Sequence, residues 1–216
     1  GYAFIGLMLN SLMWPNNIAA LGWLPWVVLA VERAAVSGGR AIVVGAGVGA
    51  LQMLTGAPEM ILFTWLFAGC QALVTRCSWG TVARLVGLAV LVGLLAAVQL
   101  LPFLDLLQHS QRDASYGGSV WALPWWGVAN LFVPLFRCFE TSAGYFLQTE
   151  QNWTSTFYPG IAVLLLALLA VRPGGGRRVV LMLALTGAAL WLALAEQGGL
   201  FSVLSRGIPL GVMRCP

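Results

Sequence analysis

The stretch VARLVGLAVLVGLLAAVQLL, residues 82–101, decides the fold. It carries one charge, Arg84, in a run long enough to match a bilayer's hydrocarbon core, which takes about 20 helical residues. Apolar on every face, it predicts a helix surrounded by lipid or protein rather than one half in water. Pro102 follows, so the helix is expected to end near Leu101 or to continue past Pro102 with a kink.

Working outward, five more apolar runs read the same way: Ile18 to Val31, with Glu32 at its end, Ala41 to Leu54, Met60 to Val74, Phe157 to Val171 and Val179 to Leu194. The expectation is an all-α, polytopic transmembrane helix bundle of about six spans (18–32, 41–54, 60–74, 82–101, 157–171 and 179–194). Asn16 or Asn17 is the expected cap of the first. Composition agrees: 60% of residues are hydrophobic, 8% are charged and the mean hydropathy is +0.88, against about a quarter charged in soluble domains. The chain opens at Gly1 in apolar sequence and closes on Arg214-Cys215-Pro216. It reads as a single membrane domain, 1–216, belonging to a longer protein.

All eleven basic residues are arginine, and their distribution orders the spans. Arg33, Arg40, Arg76, Arg84, Arg172, Arg177 and Arg178 lie in links that must share one side. Glu59, Asp105, Asp113, Glu140, Glu150 and Glu196 fall on the other, with Arg112, Arg137, Arg206 and Arg214. By the positive-inside rule the arginine-rich links are cytoplasmic, and the expected location is the bacterial inner membrane. Arginines clustered between apolar runs exclude a nucleic-acid surface. The external loop 109–156 is long and aromatic, and Trp121 to Phe136 within it reads as an amphipathic outer interfacial segment. P-loop, GxSxG, HExxH and dinucleotide fingerprints are missing from the sequence, and neither repeats nor rows of intramembrane charge suggest a transporter.

Candidate chemistry is sparse. Gly56-Ala57-Pro58-Glu59 reads as a helix start, with Pro at the first position and Glu in the first turn, or as a carboxylate held at the mouth of an external cavity. Asp105, His109 and Arg112 fall at i, i+4 and i+7, on one helix face: a polar helix end, or one wall of a site for an anionic headgroup with Arg112 on the phosphate. Glu150 sits in a polar-aromatic stretch with Gln148 and Trp153, suited to a headgroup or carbohydrate and equally to a wet loop. His109 is the lone histidine, so no multi-histidine metal site is expected, and its ligation of a pigment is disfavoured. A divalent metal stays open, with no ligand set to hold it. Gly45, Gly47 and Gly49 read as a close-packing stripe. Cys138 and Cys215 share the expected external side.

Several of these stretches resemble one family. Gly56-Ala57-Pro58-Glu59 looks like the G-x-P-E/Q turn of bacterial YfhO-like membrane proteins. Gln99-Leu100-Leu101-Pro102 with Ser110 and Arg112 is similar to their QLLP helix end. Phe157-Tyr158-Pro159-Gly160-Ile161 resembles their entry to a later span, and Arg214-Cys215-Pro216 their R-x-P element. These proteins belong to the GT-C glycosyltransferase superfamily. The resemblance implies a fragment of an external-face enzyme that uses a polyprenyl-phosphate-sugar donor. Glu59 and Asp105 are then the catalytic candidates, and His109, Arg112, Glu150 and Arg214 the substrate- or headgroup-binding candidates. The implied partners are membrane lipids and a lipid-linked sugar. The competing expectation is a non-catalytic scaffold subunit, associated with other membrane subunits in a respiratory or photosynthetic complex.

Overall fold

A computed structural model describes residues 6–109, 122–150, 156–171 and 176–194. The elements are α1 (Gly6–Asn10), α2 (Pro15–Ser37), α3 (Arg40–Met53), α4 (Pro58–Thr75), α5 (Trp79–Leu95), α6 (Ala97–His109), a 3-10 helix (Trp125–Leu131), strands β1 (Cys138–Glu140) and β2 (Phe146–Gln148), α7 (Ile161–Ala170) and α8 (Arg177–Ala193). The protein is mostly helical. Two helices, α2 and α4, are long and apolar enough to cross a membrane, and a third span results if the bent pair α5–α6 is taken as one; α3 and α7 are apolar but shorter.

The chain divides into two compact units. The helical unit comprises Ser11–Ser110 with Gly176–Leu181. Here α2 packs against α3, α4 and α5. The interior is built from small side chains, Ala34, Ala35, Ala46, Ala68 and Ala72, with Val27, Val31, Leu88 and Val92 between them. Larger apolar residues such as Val43, Leu66 and Leu94 point outward. Small residues let helix backbones approach closely where burial of Leu offers no gain over lipid. Gly49 shows how closely: a Cβ there would lie 2.5 Å from Trp65 Cζ2 and 2.7 Å from Val92 Cγ2. Of the expected glycine stripe, Gly45 and Gly49 face neighbours, whereas a Cβ on Gly47 meets nothing within 4 Å.

Helix ends follow local chemistry. α2 starts three residues earlier than expected, because Pro15 occupies its first turn with Trp14 as N-cap, and neither Asn16 nor Asn17 caps it. Its C-terminus is closed by Gly38 and Gly39, both at positive φ. Arg84 clamps the same end: its Nη1 donates to the carbonyls of Ala35 at 2.9 Å and Val36 at 2.8 Å. α5 begins on Ser78, whose Oγ accepts from the Thr81 amide at 3.1 Å. The kink expected at Pro102 lies elsewhere. The chain turns by 78° at Ala96, and Pro102 sits inside α6, which runs on to His109. The Ala96 carbonyl accepts from the amides of both Gln99 and Leu100, so α6 is a fresh helix start. Pro102 has no N–H for the Val98 carbonyl, which weakens the turn before it and favours a break upstream of the proline.

The second unit includes Gly1–Asn10, Gln111–Gly175 and Met182–Pro216, as far as these are described. The all-α expectation missed a hairpin in the stretch assigned to an external loop: β1 and β2 pair antiparallel, Cys138 opposite Gln148 and Glu140 opposite Phe146. Strands of three residues are too short to show an alternation in sequence. Thr149 locks the hairpin base, its amide and hydroxyl both donating to the Arg137 carbonyl, at 3.1 and 2.7 Å. The Arg137 guanidinium lies 5.0 Å over the Trp126 ring, which meets Phe136 at a centroid distance of 6.4 Å. Within the expected interfacial segment, Trp126 and Asn130 are buried while Trp125 and Phe132 are exposed.

Candidate functional site

The Gly56 turn and the start of α6 form one site. Gly56, at φ 72°, reverses the chain between α3 and α4, a conformation open to glycine and strained for other residues. Thr55 tightens the turn, its hydroxyl donating to the Gln52 carbonyl at 2.7 Å. Pro58 then begins α4, with Glu59 in its first turn, as the helix-start reading of Gly56-Ala57-Pro58-Glu59 required. The 78° turn at Ala96 brings the first turns of α6 against this reversal. Between them lies a cleft of about 260 Å³, lined by Met53, Gly56, Pro58, Ile61, Leu62, Gln99, Leu100 and Phe103. The walls are apolar, with the Gln99 amide as the polar group. A Cβ on Gly56 would sit 3.4 Å from Gln99 Nε2, so the turn and the glutamine are in ordinary contact distance of each other.

A buried polar joint stands behind the turn. Gln52 has no exposed surface. Its Nε2 donates to the Ala20 carbonyl at 3.1 Å, and its Oε1 accepts from Trp65 Nε1 at 3.1 Å. One side chain thus ties α2, α3 and α4 together through satisfied hydrogen bonds, which hold their geometry well in a low-dielectric interior.

The sequence candidates distribute unevenly around this cleft. Glu59 is half-buried beside Pro58, at the positive end of the α4 dipole. Asp105 and His109 share a face of α6 as expected: His109 Nδ1 lies 3.4 Å from Asp105 Oδ1 and 2.9 Å from its carbonyl. Both are well exposed, and neither lines the cleft. Glu150 is in the other unit, exposed and at φ 71°. Arg112 and Arg214 lie outside the described residues, as does Cys215. Among the described residues, no three His, Cys, Asp or Glu side chains come together as a metal site would need. Gln99, Gln52 and Trp65 were not singled out from the sequence as site residues. A lone amide in an apolar run is the one signal that marks each glutamine; Gln52 is buried and finds partners, whereas Gln99 is exposed at the cleft. No family model, curated protein or solved structure matches this chain.

Proposed function

We propose that the cleft beneath the Gly56 turn seats the apolar chain of a membrane lipid, and that the protein is the membrane part of a GT-C-like glycosyltransferase, akin to the YfhO-like proteins, taking sugar from a polyprenyl-phosphate donor. One observation carries this reading. Two of the stretches that resemble that family, Gly56-Ala57-Pro58-Glu59 and Gln99-Leu100-Leu101-Pro102, are distant in sequence and yet border one apolar cleft. At about 260 Å³ the cleft lies just under the range of roughly 300–1,000 Å³ common for ligand pockets, which suits a segment of a long chain rather than a whole ligand. In this reading Glu59, in the first turn of α4 next to the lining residue Pro58, takes a proton from an acceptor hydroxyl. In this reading the six apolar helical segments all stand in the membrane, the arginine links face the cytoplasm, and the cleft opens toward the external face.

The test uses the full-length protein in nanodiscs with a photoactivatable polyprenyl phosphate. Crosslinks are expected on peptides bearing Ile61–Leu62 and Leu100–Phe103, and Leu100→Trp is expected to abolish them by filling the cleft. Crosslinks elsewhere, unchanged by that substitution, defeat the lipid-seat reading. Glu59→Gln is expected to lower lipid-linked sugar transfer by at least the roughly 10²-fold usual for a lost general base. Unchanged transfer removes Glu59 from the mechanism. A scaffold subunit of a larger membrane complex is the second reading, favoured by α7 and α8, in which no described residue is buried. Copurification in fixed ratio with other membrane subunits, without transfer activity, would establish it instead.

A further inference from the structure

The end of the helical unit opposite the Gly56 turn gathers arginines. Arg33 lies near the end of α2, Arg40 starts α3, Arg76 follows α4, Arg84 is in α5, and Arg177 and Arg178 start α8. Two have internal tasks. Arg84 holds the α2 carbonyls, and Arg178 pairs with Glu32 at 2.8 Å. Glu32 is the one acidic residue in the helix ends that make this surface. Arg33, Arg40, Arg76 and Arg177 are exposed, and no ion pair to them is found among the described residues.

Two of these four sit where a cation is least welcome. Arg40 and Arg177 are the first residues of α3 and α8, at the positive ends of their helix dipoles, with no acid in either first turn. Glu32 and the carbonyl ends of α2 and α4 offset part of this positive field, and the four exposed arginines leave the surface net positive. Trp79, the first residue of α5, lies at the same end of the helical unit and is 89% exposed. An exposed indole and exposed arginines at one end of helices apolar enough to enter a bilayer match the headgroup level of a membrane. Arginine offers the planar, bidentate donors that phosphodiesters accept.

We propose that this arginine end is a docking surface for anionic phospholipid headgroups, with Arg33, Arg40, Arg76 and Arg177 on the phosphates and Trp79 at the boundary with the acyl chains. α3 separates it from the cleft by 14 residues, about 21 Å of helix, so the assignment stands whatever the cleft holds.

Native mass spectrometry of the protein from maltoside micelles, offered equal amounts of phosphatidylglycerol and phosphatidylcholine, tests it. The wild type is expected to retain phosphatidylglycerol preferentially, with each arginine contributing roughly fivefold. R33Q/R40Q/R76Q/R177Q should lose that preference, and the corresponding four Arg→Lys changes should keep most of it. Should the glutamine variant fail to fold, the pairs R33Q/R40Q and R76Q/R177Q are each expected to lose part of the preference. Equal retention of the two lipids by the wild type overturns the proposal, as does a preference that survives the glutamine changes. Displacement of phosphatidylglycerol by inorganic phosphate alone also overturns it, since the surface would then select a free anion.

Discussion

Gln52 in the helical unit and Gln148 in the hairpin unit are both without exposed surface, yet their surroundings are opposite. Gln52 uses both ends of its amide, one on the Ala20 carbonyl and one on the Trp65 indole. Neither amide atom of Gln148 meets a hydrogen-bond partner among the described residues. Burial alone therefore says nothing about whether a polar side chain stabilises. A satisfied amide contributes about 1 kcal/mol per hydrogen bond, whereas an unsatisfied one costs about 1–3 kcal/mol. The contrast extends to the packing around them. The helical unit is closed by alanines and glycines at contact distance; the hairpin unit turns Trp125, Phe132 and Tyr145 outward while it keeps amides inside.

The sharpest way to break this contrast is Gln52→Ala. The change strands the Trp65 N–H, removes the added bond on the Ala20 carbonyl and leaves a void, so we expect a loss of roughly 2–5 kcal/mol in denaturant unfolding in micelles. A loss below about 1 kcal/mol would put the two glutamines on the same footing. Gly49→Ala should follow at about 1–3 kcal/mol, because its methyl overlaps Trp65 and Val92. Gly47→Ala, on the open side of the same helix, should be neutral or stabilising by up to about 1 kcal/mol in the same assay. Arg84→Gln removes the charged clamp on the end of α2 and is expected to cost about 1–2 kcal/mol, with faster hydrogen exchange confined to the last turn of that helix.

The smallest stability effect belongs to the other glutamine. Gln148→Leu should range from neutral to about 1 kcal/mol stabilising, and a large loss would reveal a hydrogen-bonding role for this amide. Cys138 probes the same hairpin by pH. Burial raises its thiol above the ordinary value, against a lowering by the hydrogen bond from Asn130. Alkylation by iodoacetamide should therefore be slower at Cys138 than at the exposed Cys77, with its rise displaced to higher pH. With the folded value above the unfolded one, the thiol's contribution to stability is full below the unfolded value and is lost as pH climbs through the folded one. A Cys138 profile coincident with that of Cys77 would contradict the burial.

Much of the helical frame was legible in the residues. Each of the six apolar runs lies largely on a helix, and Pro58 stands at the head of α4, where its local chemistry put it. Helix starts and stops depend on neighbours in sequence, and so they can be read there. The turn at Ala96 was misplaced to Pro102, since proline marks a weak turn without saying which residue yields. The hairpin was missed because its strands are three residues long. Of the candidate site, the Gly56 turn and the Gln99 segment were each visible, but their meeting was not.

Amphipathy, span length and charge asymmetry follow from composition and order along the chain, so the sequence by itself determined a mostly helical protein with helices fit for a membrane and arginines concentrated in particular links. The tertiary structure alone decided which arginines are consumed internally, which glutamine is satisfied, and that Gly56 and Gln99 face one cleft. These outcomes depend on pairings between residues tens of positions apart. Such pairings are fixed by how closely backbones approach and where a helix bends, and a one-dimensional pattern does not specify either.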